Sequence, residues 1–447
     1  MTLTKVRTEL TREEKREKRF NRWLSPPGVK FRSLEAEKTY KERVTRLKSA
    51  LTLQTPDRVP VSLPSGNFPA YYAGGNLRKV MYDYHELRRA WTKFITDFAD
   101  DTDTFHGPGL VYSGTMLDIL NYRLYKWPGH GLGPNVNTYQ FVEGEYMMAD
   151  EYDALIKDPS DFAIRVLMPR MVGSLEPLSR LPSFSHTLGM PLRFVSPFTD
   201  PEVRAAFQSL IDAGKEMAFW QEEVFAFNRE ALAAGFPTVR GGMAVAPFDT
   251  IGDALRGTQG VVLDMYRQPK KLLDALEVII PLTIEQAISQ IEAAGGFMVS
   301  FPLHKGDDTF MSDKQFETFY WPSLRKVILA LVDEGIMVSL FAEGQYMRRL
   351  EVIKDLPKGW VNWTFDQTDM ATAKKVLGGT ACIQGNVPTS LMCTGTPREV
   401  KEYCRKLMES CAGGGGYILA GGAAATESRP ENLRALMEAA KEYGVYK

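Results

Sequence analysis

The fold is decided by two short apolar runs, Gly296-Phe297-Met298-Val299-Ser300-Phe301 and Ile336-Met337-Val338-Ser339-Leu340-Phe341, and by the helical stretch Lys314–Asp333 between them. Short runs rich in β-branched and aromatic residues are typical of buried strands. A strand, a crossover helix and a second strand in this order form a parallel pair. The stretch therefore predicts a βαβ unit.

The same alternation recurs along the whole chain. Six further runs of this kind are Asp57–Leu63, Asp101–His106, Thr238–Val245, Val361–Phe365, Thr380–Gln384 and Gly416–Ala420. Helical stretches such as Pro269–Ala294 lie between them. Eight strands alternating with helices predict an α/β protein with a (β/α)8 barrel, the TIM barrel. An open doubly wound sheet more often has fewer strands, and no GxGxxG motif follows the first run.

The spacing of the runs predicts an inserted segment. The interval between the second and third runs is too long for one crossover, so we place an insert between strands 2 and 3 at about residues 107–237. We divide the chain into an N-terminal helical arm, residues 1–39, and a barrel, residues 40–447, that contains the insert. The charged stretch Thr11–Arg19 predicts a solvated helix. The insert is a lid over the barrel mouth, or else a surface elaboration or dimer contact, and we expect a homodimer.

Composition excludes several classes of protein. The chain has 447 residues, with 54 Lys and Arg against 55 Asp and Glu. This balance provides no overall attraction to nucleic acid or to anionic membranes. No apolar stretch reaches the length of a membrane span, and the first residues lack the apolar core of a secretory signal. Four cysteines without a CxxC pair suit a reducing compartment, so we expect a cytoplasmic protein.

Polar residues at the carboxyl ends of the strands are the candidates for an active site, because the loops that follow these ends build the active face of such barrels. His304 and Glu343 end consecutive strands, so their side chains should reach a common ligand. A histidine beside a carboxylate can bind Zn²⁺ or act as an acid/base pair. The alternative is structural, with Glu343 paired to an arginine such as Arg348 or Arg349.

Several phrases of the sequence resemble the uroporphyrinogen decarboxylase superfamily. They are Tyr40–Val44 with Pro56–Val61, Leu255–Gly257 with Asp264–Tyr266, Met311–Phe316 with Trp321-Pro322, Gln384–Pro388, Thr394–Val400, Gly415–Leu419 and Arg429–Leu433. The resemblance runs from about Tyr40 to Tyr443 and is interrupted by the insert. It implies a (β/α)8 barrel, in agreement with the strand pattern.

The sequence departs from both branches of this superfamily. True uroporphyrinogen decarboxylases hold substrate carboxylates with an arginine-rich segment after the first strand, whereas Leu63–Tyr72 contains no arginine. The corrinoid- and coenzyme-M-linked methyltransferases bind zinc through a His-x-Cys-Gly motif and a later cysteine. Here those positions read Phe341-Ala342-Glu343-Gly344 and Ala423. The resemblance therefore implies a rebuilt site with oxygen and nitrogen donors, which suits an O- or N-methyl group better than a thiol.

We therefore expect a methyltransferase subunit that demethylates a small O- or N-methylated donor and passes the methyl group to a separate corrinoid protein. Glu343 and His304 would bind zinc or protonate the leaving group, with Asp366 as a third catalytic residue. The residues expected to bind substrate are Asp101, Asp103, His106, Asp307, Tyr346 and Asn386. One alternative is a decarboxylase or lyase acting on a carboxylate, with Asp101 or Asp103 as acid/base. Another is a non-catalytic barrel.

Overall fold

The computed structural model describes residues 10–98, 102–239 and 241–446. Eight parallel strands form one sheet that is surrounded by helices. The strands are β1 (Val61–Leu63), β2 (Thr104–Phe105), β3 (Gly242–Met243), β4 (Met298–Leu303), β5 (Met337–Ala342), β6 (Val361–Phe365), β7 (Cys382–Gln384) and β8 (Tyr417–Ala420). Each strand overlaps one predicted run, which confirms the α/β class and the (β/α)8 barrel.

The strands follow the order of a barrel, in which one pair of neighbouring strands is not joined by backbone hydrogen bonds. The sheet runs β2-β1-β8-β7-β6-β5-β4-β3, and β8 lies beside β1 with Val61 aligned to Leu419. Among the described residues, no backbone pairing joins β2 to β3. A long helix of the insert packs at this gap, where the rings of Phe105 and Phe227 lie 6.1 Å apart.

Helices connect the strands and cover the outside of the sheet. Two of them, α1 (Arg12–Leu24) and α2 (Leu34–Leu51), precede β1. The others outside the insert are Phe68–Tyr72, Leu77–Tyr82, Tyr84–Asp97, Pro247–Asp249, the π-helical turn Thr250–Leu255, Gly257–Arg267, Pro269–Ala294, Asp313–Gln315, the π-helical turn Phe316–Tyr320, Trp321–Asp333, Leu350–Ile353, Met370–Leu377, Thr389–Thr394, Pro397–Cys411 and Pro430–Tyr443. In the described ranges, none of the helices combines the length and apolar character needed to cross a bilayer.

The first helix, α1, covers the amino ends of the barrel strands. Phe20 and Trp23 are buried, and the Trp23 ring lies 4.3 Å from that of Phe297, which precedes β4. The Arg16 guanidinium stacks on Trp360, which precedes β6, at 4.0 Å from the ring centre. We expected a solvated helix, but only one side of α1 is exposed because its aromatic residues extend the barrel core.

The chain between β2 and β3 forms a mostly helical insert. Its longest element is α3 (Pro201–Ala233), which begins where the Asp200 side chain accepts a hydrogen bond from the backbone of Glu202. Its shorter helices and turns are Pro108–Leu110, Gly114–Leu120, Tyr152–Lys157, Pro159–Phe162, Ala163–Leu167, Met168–Met171, Gly173–Arg180, Phe184–Thr187 and Pro191–Thr199. Its small sheet contains Tyr125–Pro128, Gly131–Leu132 and Gln140–Phe141. Apolar residues around Leu175 and Val203 give it a small core of its own.

Part of the insert, residues 125–147, lies at the carboxyl ends of the barrel strands. Asn137 donates a hydrogen bond of 2.8 Å to Glu427, which follows β8. The Glu143 carboxylate accepts a hydrogen bond from the backbone of Thr258, in the first turn of the helix Gly257–Arg267. The insert therefore covers the face on which the sequence places the candidate site.

Candidate active site

His304 follows β4, and its imidazole is oriented by Asp253. The ring nitrogen Nδ1 lies 2.6 Å from Oδ2 of Asp253, a residue of the π-helical turn after β3. Because a carboxylate only accepts, Nδ1 carries a proton in this contact. The second ring nitrogen, Nε2, is left facing the barrel mouth.

Glu343 directly follows β5 and approaches His304 from the other side. Its Oε2 atom lies 3.8 Å from Nε2 of His304, which is longer than a hydrogen bond. The exposed fractions of the two side chains are 39% for His304 and 56% for Glu343. The pair therefore borders a solvent-accessible space in which an atom of a bound molecule could contact both groups.

Asp249 is a buried anchor behind His304. Its carboxylate accepts hydrogen bonds from the backbone N–H groups of His304 at 3.1 Å and Lys305 at 3.0 Å. The Tyr320 hydroxyl donates a third hydrogen bond at 2.8 Å. Burial, followed by the negative charge of Asp253, raises the pKa of Asp249 to about 7. These contacts fix the backbone from which the imidazole projects.

The carboxylates around His304 favour its protonated form. Burial opposes the positive charge, but the hydrogen bond and charge of Asp253, followed by the charges of Asp249 and Glu343, outweigh it. Together they raise the pKa of His304 to about 9. His304 is therefore an imidazolium at neutral pH and can donate a proton from Nε2.

Lys305 connects this site to the insert. Its Nζ atom donates a hydrogen bond of 2.6 Å to the Thr258 hydroxyl and lies 3.2 Å from Oδ1 of Asp253. The same atom is 3.7 Å from the Glu143 carboxylate, which belongs to the insert. Lys305 thus neutralises part of the negative charge and holds the insert beside His304.

Residues 186–443 match the family model described as uroporphyrinogen decarboxylase (URO-D). The chain belongs to the uroporphyrinogen decarboxylase family. The uroporphyrinogen decarboxylase of Idiomarina loihiensis is 24% identical over 261 residues, which cover 55% of this chain and 70% of that protein. That of Danio rerio is 23% identical over 266 residues, covering 55% and 68%.

A solved structure, a methyltransferase from Methanosarcina mazei, is also similar to this member of the URO-D family. It superposes with a TM-score of 0.56 at 17% sequence identity, and the match covers 89% of this chain and 98% of that one. At this identity the similarity shows a shared fold.

The stretch after β1 of this URO-D family member supplies no cation to the mouth. Leu63–Tyr72 contains neither Arg nor Lys, and its short helix buries Phe68 and Ala70. The Phe68 ring packs edge-on against those of Phe94 and Phe98. The segment therefore contributes to the core and is not built to hold substrate carboxylates.

Two further predicted residues lie near the mouth. Asp366 follows β6, which lies beside β5, and its carboxylate accepts a 3.4 Å hydrogen bond from the backbone of Gly344. His106 follows β2, and its carbonyl accepts a 3.0 Å hydrogen bond from the indole of Trp91. Both residues are on the correct face, but the structure shows no contact between either side chain and His304 among its described contacts.

Three predicted substrate ligands are used by the fold itself. Asp307 accepts hydrogen bonds from the backbones of Gln345 and Thr309, so its carboxylate closes a loop. Asn386 donates from its side-chain amide to the carbonyls of Asp366 at 3.1 Å and Thr368 at 2.7 Å. Tyr346 is fully buried behind the site, near Tyr320 and Asp249.

The structure corrects the prediction for Asp103 as a substrate-binding residue. Asp103 precedes β2 and lies at the opposite, amino end of the barrel, where its carboxylate is fully buried. It pairs with Arg46 at 2.5 Å and with Arg58 at 2.9 Å, and accepts a hydrogen bond from the backbone of Val61. Asp103 therefore stabilises the fold. The other predicted aspartate of this run, Asp101, lies outside the described residues.

Sequence reasoning missed Asp253 and Lys305. Asp253 lies four residues after Asp249, which ends the short helix after β3, and this spacing places both on one side of a helical turn. Lys305 directly follows His304 in the loop after β4. The available signal was a second carboxylate one helical turn after Asp249, although its partner, the imidazole that follows β4, depends on tertiary structure.

The residues present do not fit the predicted zinc site. Over the residues that the structure describes, no group of three or more His, Cys, Asp and Glu side chains is arranged to hold a metal ion. His304 and Glu343 supply two donors, and Asp253 contacts the opposite nitrogen of the same ring. Protein zinc sites use three or four protein ligands. The geometry therefore favours the proton-transfer interpretation of this pair.

Proposed function

We propose that this URO-D family member is a methyltransferase that demethylates a small O- or N-methylated donor, with His304 as the general acid. The observation that supports it is the arrangement of His304 between Asp253 and Glu343 beneath the insert. A corrinoid carried by a partner protein would supply the Co(I) nucleophile for the methyl group. This chain binds the donor and makes its heteroatom a competent leaving group.

Protonation is the step that the donor requires. A neutral ether or amine is a poor leaving group, because its heteroatom would depart as an alkoxide or amide anion. As the bond between the methyl carbon and the heteroatom breaks, the electron pair stays on the heteroatom, and the Nε2 proton of His304 moves to it. The demethylated alcohol or amine leaves, and His304 is neutral until it takes a proton from solvent.

The neighbouring carboxylates have separate tasks in this step. Asp253 keeps the imidazole oriented through Nδ1 and stabilises its positive charge, as an aspartate does in a catalytic triad. Glu343 faces Nε2 and the open space, so it is placed to orient the heteroatom of the donor. Glu143 and Lys305 hold the insert close to this space, which limits the entry of water.

The charge of the rim disfavours a polycarboxylate substrate. The described groups at the site are the carboxylates of Asp253, Glu143 and Glu343, against the cations His304 and Lys305. Both cations are already paired within this group. A substrate with several carboxylates would therefore meet net negative charge and no free guanidinium. The decarboxylase alternative requires an acid/base aspartate at the second strand. One of its two candidates, Asp103, is buried at the amino end of the barrel.

The test is methyl transfer from O- and N-methylated donors to an added corrinoid protein in the Co(I) state. His304→Asn and Glu343→Gln keep approximate size but remove the acid and the carboxylate. We expect the rate to fall by about 10²–10⁴-fold for His304→Asn, the usual contribution of a general acid. The matched control is His85→Asn, which removes another histidine paired with a carboxylate, Glu223, where the helix Tyr84–Asp97 meets α3.

The outcome that contradicts the proposal is full activity of both variants with a donor that the unaltered protein demethylates. Decarboxylation of a carboxylate substrate that survives His304→Asn would favour the alternative function. Equal losses in His304→Asn and His85→Asn would indicate general destabilisation, which the melting temperature of each variant measures.

A further inference from the structure

A cavity of about 400 Å³ lies inside the barrel and is separate from the pair His304 and Glu343, neither of which lines it. This barrel cavity extends from His106, at the carboxyl end of β2, to Leu47 and Leu51 of α2. It follows the gap between β2 and β3 that α3 covers. Leu110 and Met243, which also line it, are 52% and 50% exposed and mark its opening.

One wall of the barrel cavity is polar. Inward-facing side chains of five strands line it, namely Ser62, Ser300, Ser339, Asn362 and Gln384. All five residues are more than nine-tenths buried. The interiors of such barrels are ordinarily filled with branched apolar side chains. The barrel fold therefore does not require these polar side chains or the open cavity beside them.

Two atoms of this polar wall lack partners. In the described part of the chain, neither the Ser300 hydroxyl nor the Asn362 side-chain oxygen has a hydrogen-bond partner. The Asn362 amide nitrogen donates to Gln384 at 3.1 Å and to Ser339 at 3.3 Å, so this contact orients the amide and leaves its oxygen as an acceptor. Buried polar groups are nearly always paired, because leaving them unpaired is unfavourable. A bound molecule that pairs both atoms would remove this penalty.

The opposite wall of the barrel cavity is apolar and aromatic. It contains Val224, Phe227 and Ala231 of α3, together with Phe105 and Phe236. The rings of Phe105 and Phe236 lie 5.3 Å apart, edge to face. His106 is the one ionisable side chain of the described lining, which includes no Asp, Glu, Lys or Arg. A charged ligand would therefore lose its hydration without meeting a carboxylate, ammonium or guanidinium group of the described lining.

We infer that the barrel cavity binds a small uncharged aromatic alcohol. Its ring would pack against Phe227 and Phe236, since aromatic rings favour such contacts. Its hydroxyl would donate to the Asn362 oxygen and accept from the Ser300 hydroxyl. The volume lies within the range of small-molecule sites, about 300–1,000 Å³. This site is independent of the proposed methyl transfer, because it shares no residue with the pair His304 and Glu343.

Phenol is the probe that tests this inference, and benzoate and benzylammonium are charged comparisons of similar shape. Binding to the full chain is measured by ligand-detected NMR and by calorimetry, without any corrinoid protein. We expect phenol to bind and to raise the melting temperature, and both ions to bind at least about tenfold more weakly. Absence of phenol binding, or equal binding of the ions, would overturn the inference.

Two variants locate the bound phenol. Gly109→Trp places a large side chain at the opening, where an added Cβ meets no atom within 4 Å, so the fold should be retained. Gly214→Trp on α3 is the matched control, because its Cβ also meets open space and it does not line the cavity. Asn362→Leu removes the acceptor inside.

We expect Gly109→Trp and Asn362→Leu to weaken phenol binding by at least about tenfold, and Gly214→Trp to leave it unchanged. If Asn362→Leu does not fold, Gly109→Trp alone decides the result. Unchanged affinity in a folded Gly109→Trp protein would show that phenol binds elsewhere and would refute the assignment.

Discussion

Replacing Asp253 by Asn should lower the pKa of His304 and weaken its action as an acid. The substitution preserves the size of the side chain but removes the negative charge 2.6 Å from Nδ1. After the opposing effect of burial, the hydrogen bond and charge of Asp253 are the largest influences on this imidazole, whose pKa is raised to about 9. A positive charge on the ring would then lose its nearest counter-charge.

The size of the shift in the pKa of His304 depends on how strongly solvent screens its interaction with Asp253. The pKa of His304 is raised from 6.5 to about 9, but the side chain is 39% exposed. The charges of Asp249 and Glu343 also remain in the variant. We therefore expect Asp253→Asn to lower the pKa of His304 by about one pH unit, which corresponds to about 1.4 kcal/mol.

Two measurements test this expectation. NMR titration of the imidazole reports the pKa directly, and the rate of methyl transfer should fall at a lower pH in the variant, since the acid is lost as pH rises. The free energy of unfolding should also depend on pH through His304. Because the folded-state pKa lies above the unfolded value, the contribution of His304 is complete below pH 6.5 and is lost as pH rises to about 9. Because Asp253→Asn brings the folded-state pKa of His304 closer to the unfolded value, the variant should lose less stability as pH rises through this range.

A matched control is Asp274→Asn, which removes a surface carboxylate paired with Lys270. It should leave the titration of His304 unchanged. If Asp253→Asn also leaves that titration and the pH dependence of the rate unchanged, Asp253 does not tune the imidazole and the proposed acid must be sought elsewhere.

Three further predictions concern other parts of the chain. Asp103→Asn should lower the free energy of unfolding by about 3–5 kcal/mol, measured with urea, because it removes the fully buried carboxylate that pairs with both Arg46 and Arg58, while Arg46 keeps its pair with Asp57; a small loss would show that the buried carboxylate is dispensable. Trp23→Ala should cost about 3–5 kcal/mol by removing the ring that packs on Phe297, whereas an unchanged unfolding curve would mean that α1 is not part of the cooperative unit. Cys393 should react first with a thiol reagent in the native protein, because the other three cysteines are buried; equal labelling of all four would contradict this packing.

Local pattern was sufficient to predict the barrel. Each strand is a short apolar run that ends in turn-forming residues, and the helix between two such runs forces a parallel crossover. The same reasoning located the carboxyl ends of β4 and β5, and therefore the closeness of His304 and Glu343. These features depend on residues near one another in the chain and on the regular spacing of neighbouring strands, so the sequence alone determines them.

The roles of the individual side chains were decided by tertiary structure. Asp103 and Asp253 are both carboxylates close to a strand, yet one is buried beneath the barrel with Arg46 and the other holds an imidazole at the mouth. Nothing in their local sequence distinguishes these environments, because the partners come from elements distant in the chain. The unpaired polar wall around Asn362 also depends on long-range packing, since a cavity exists only where several elements meet without filling the space between them.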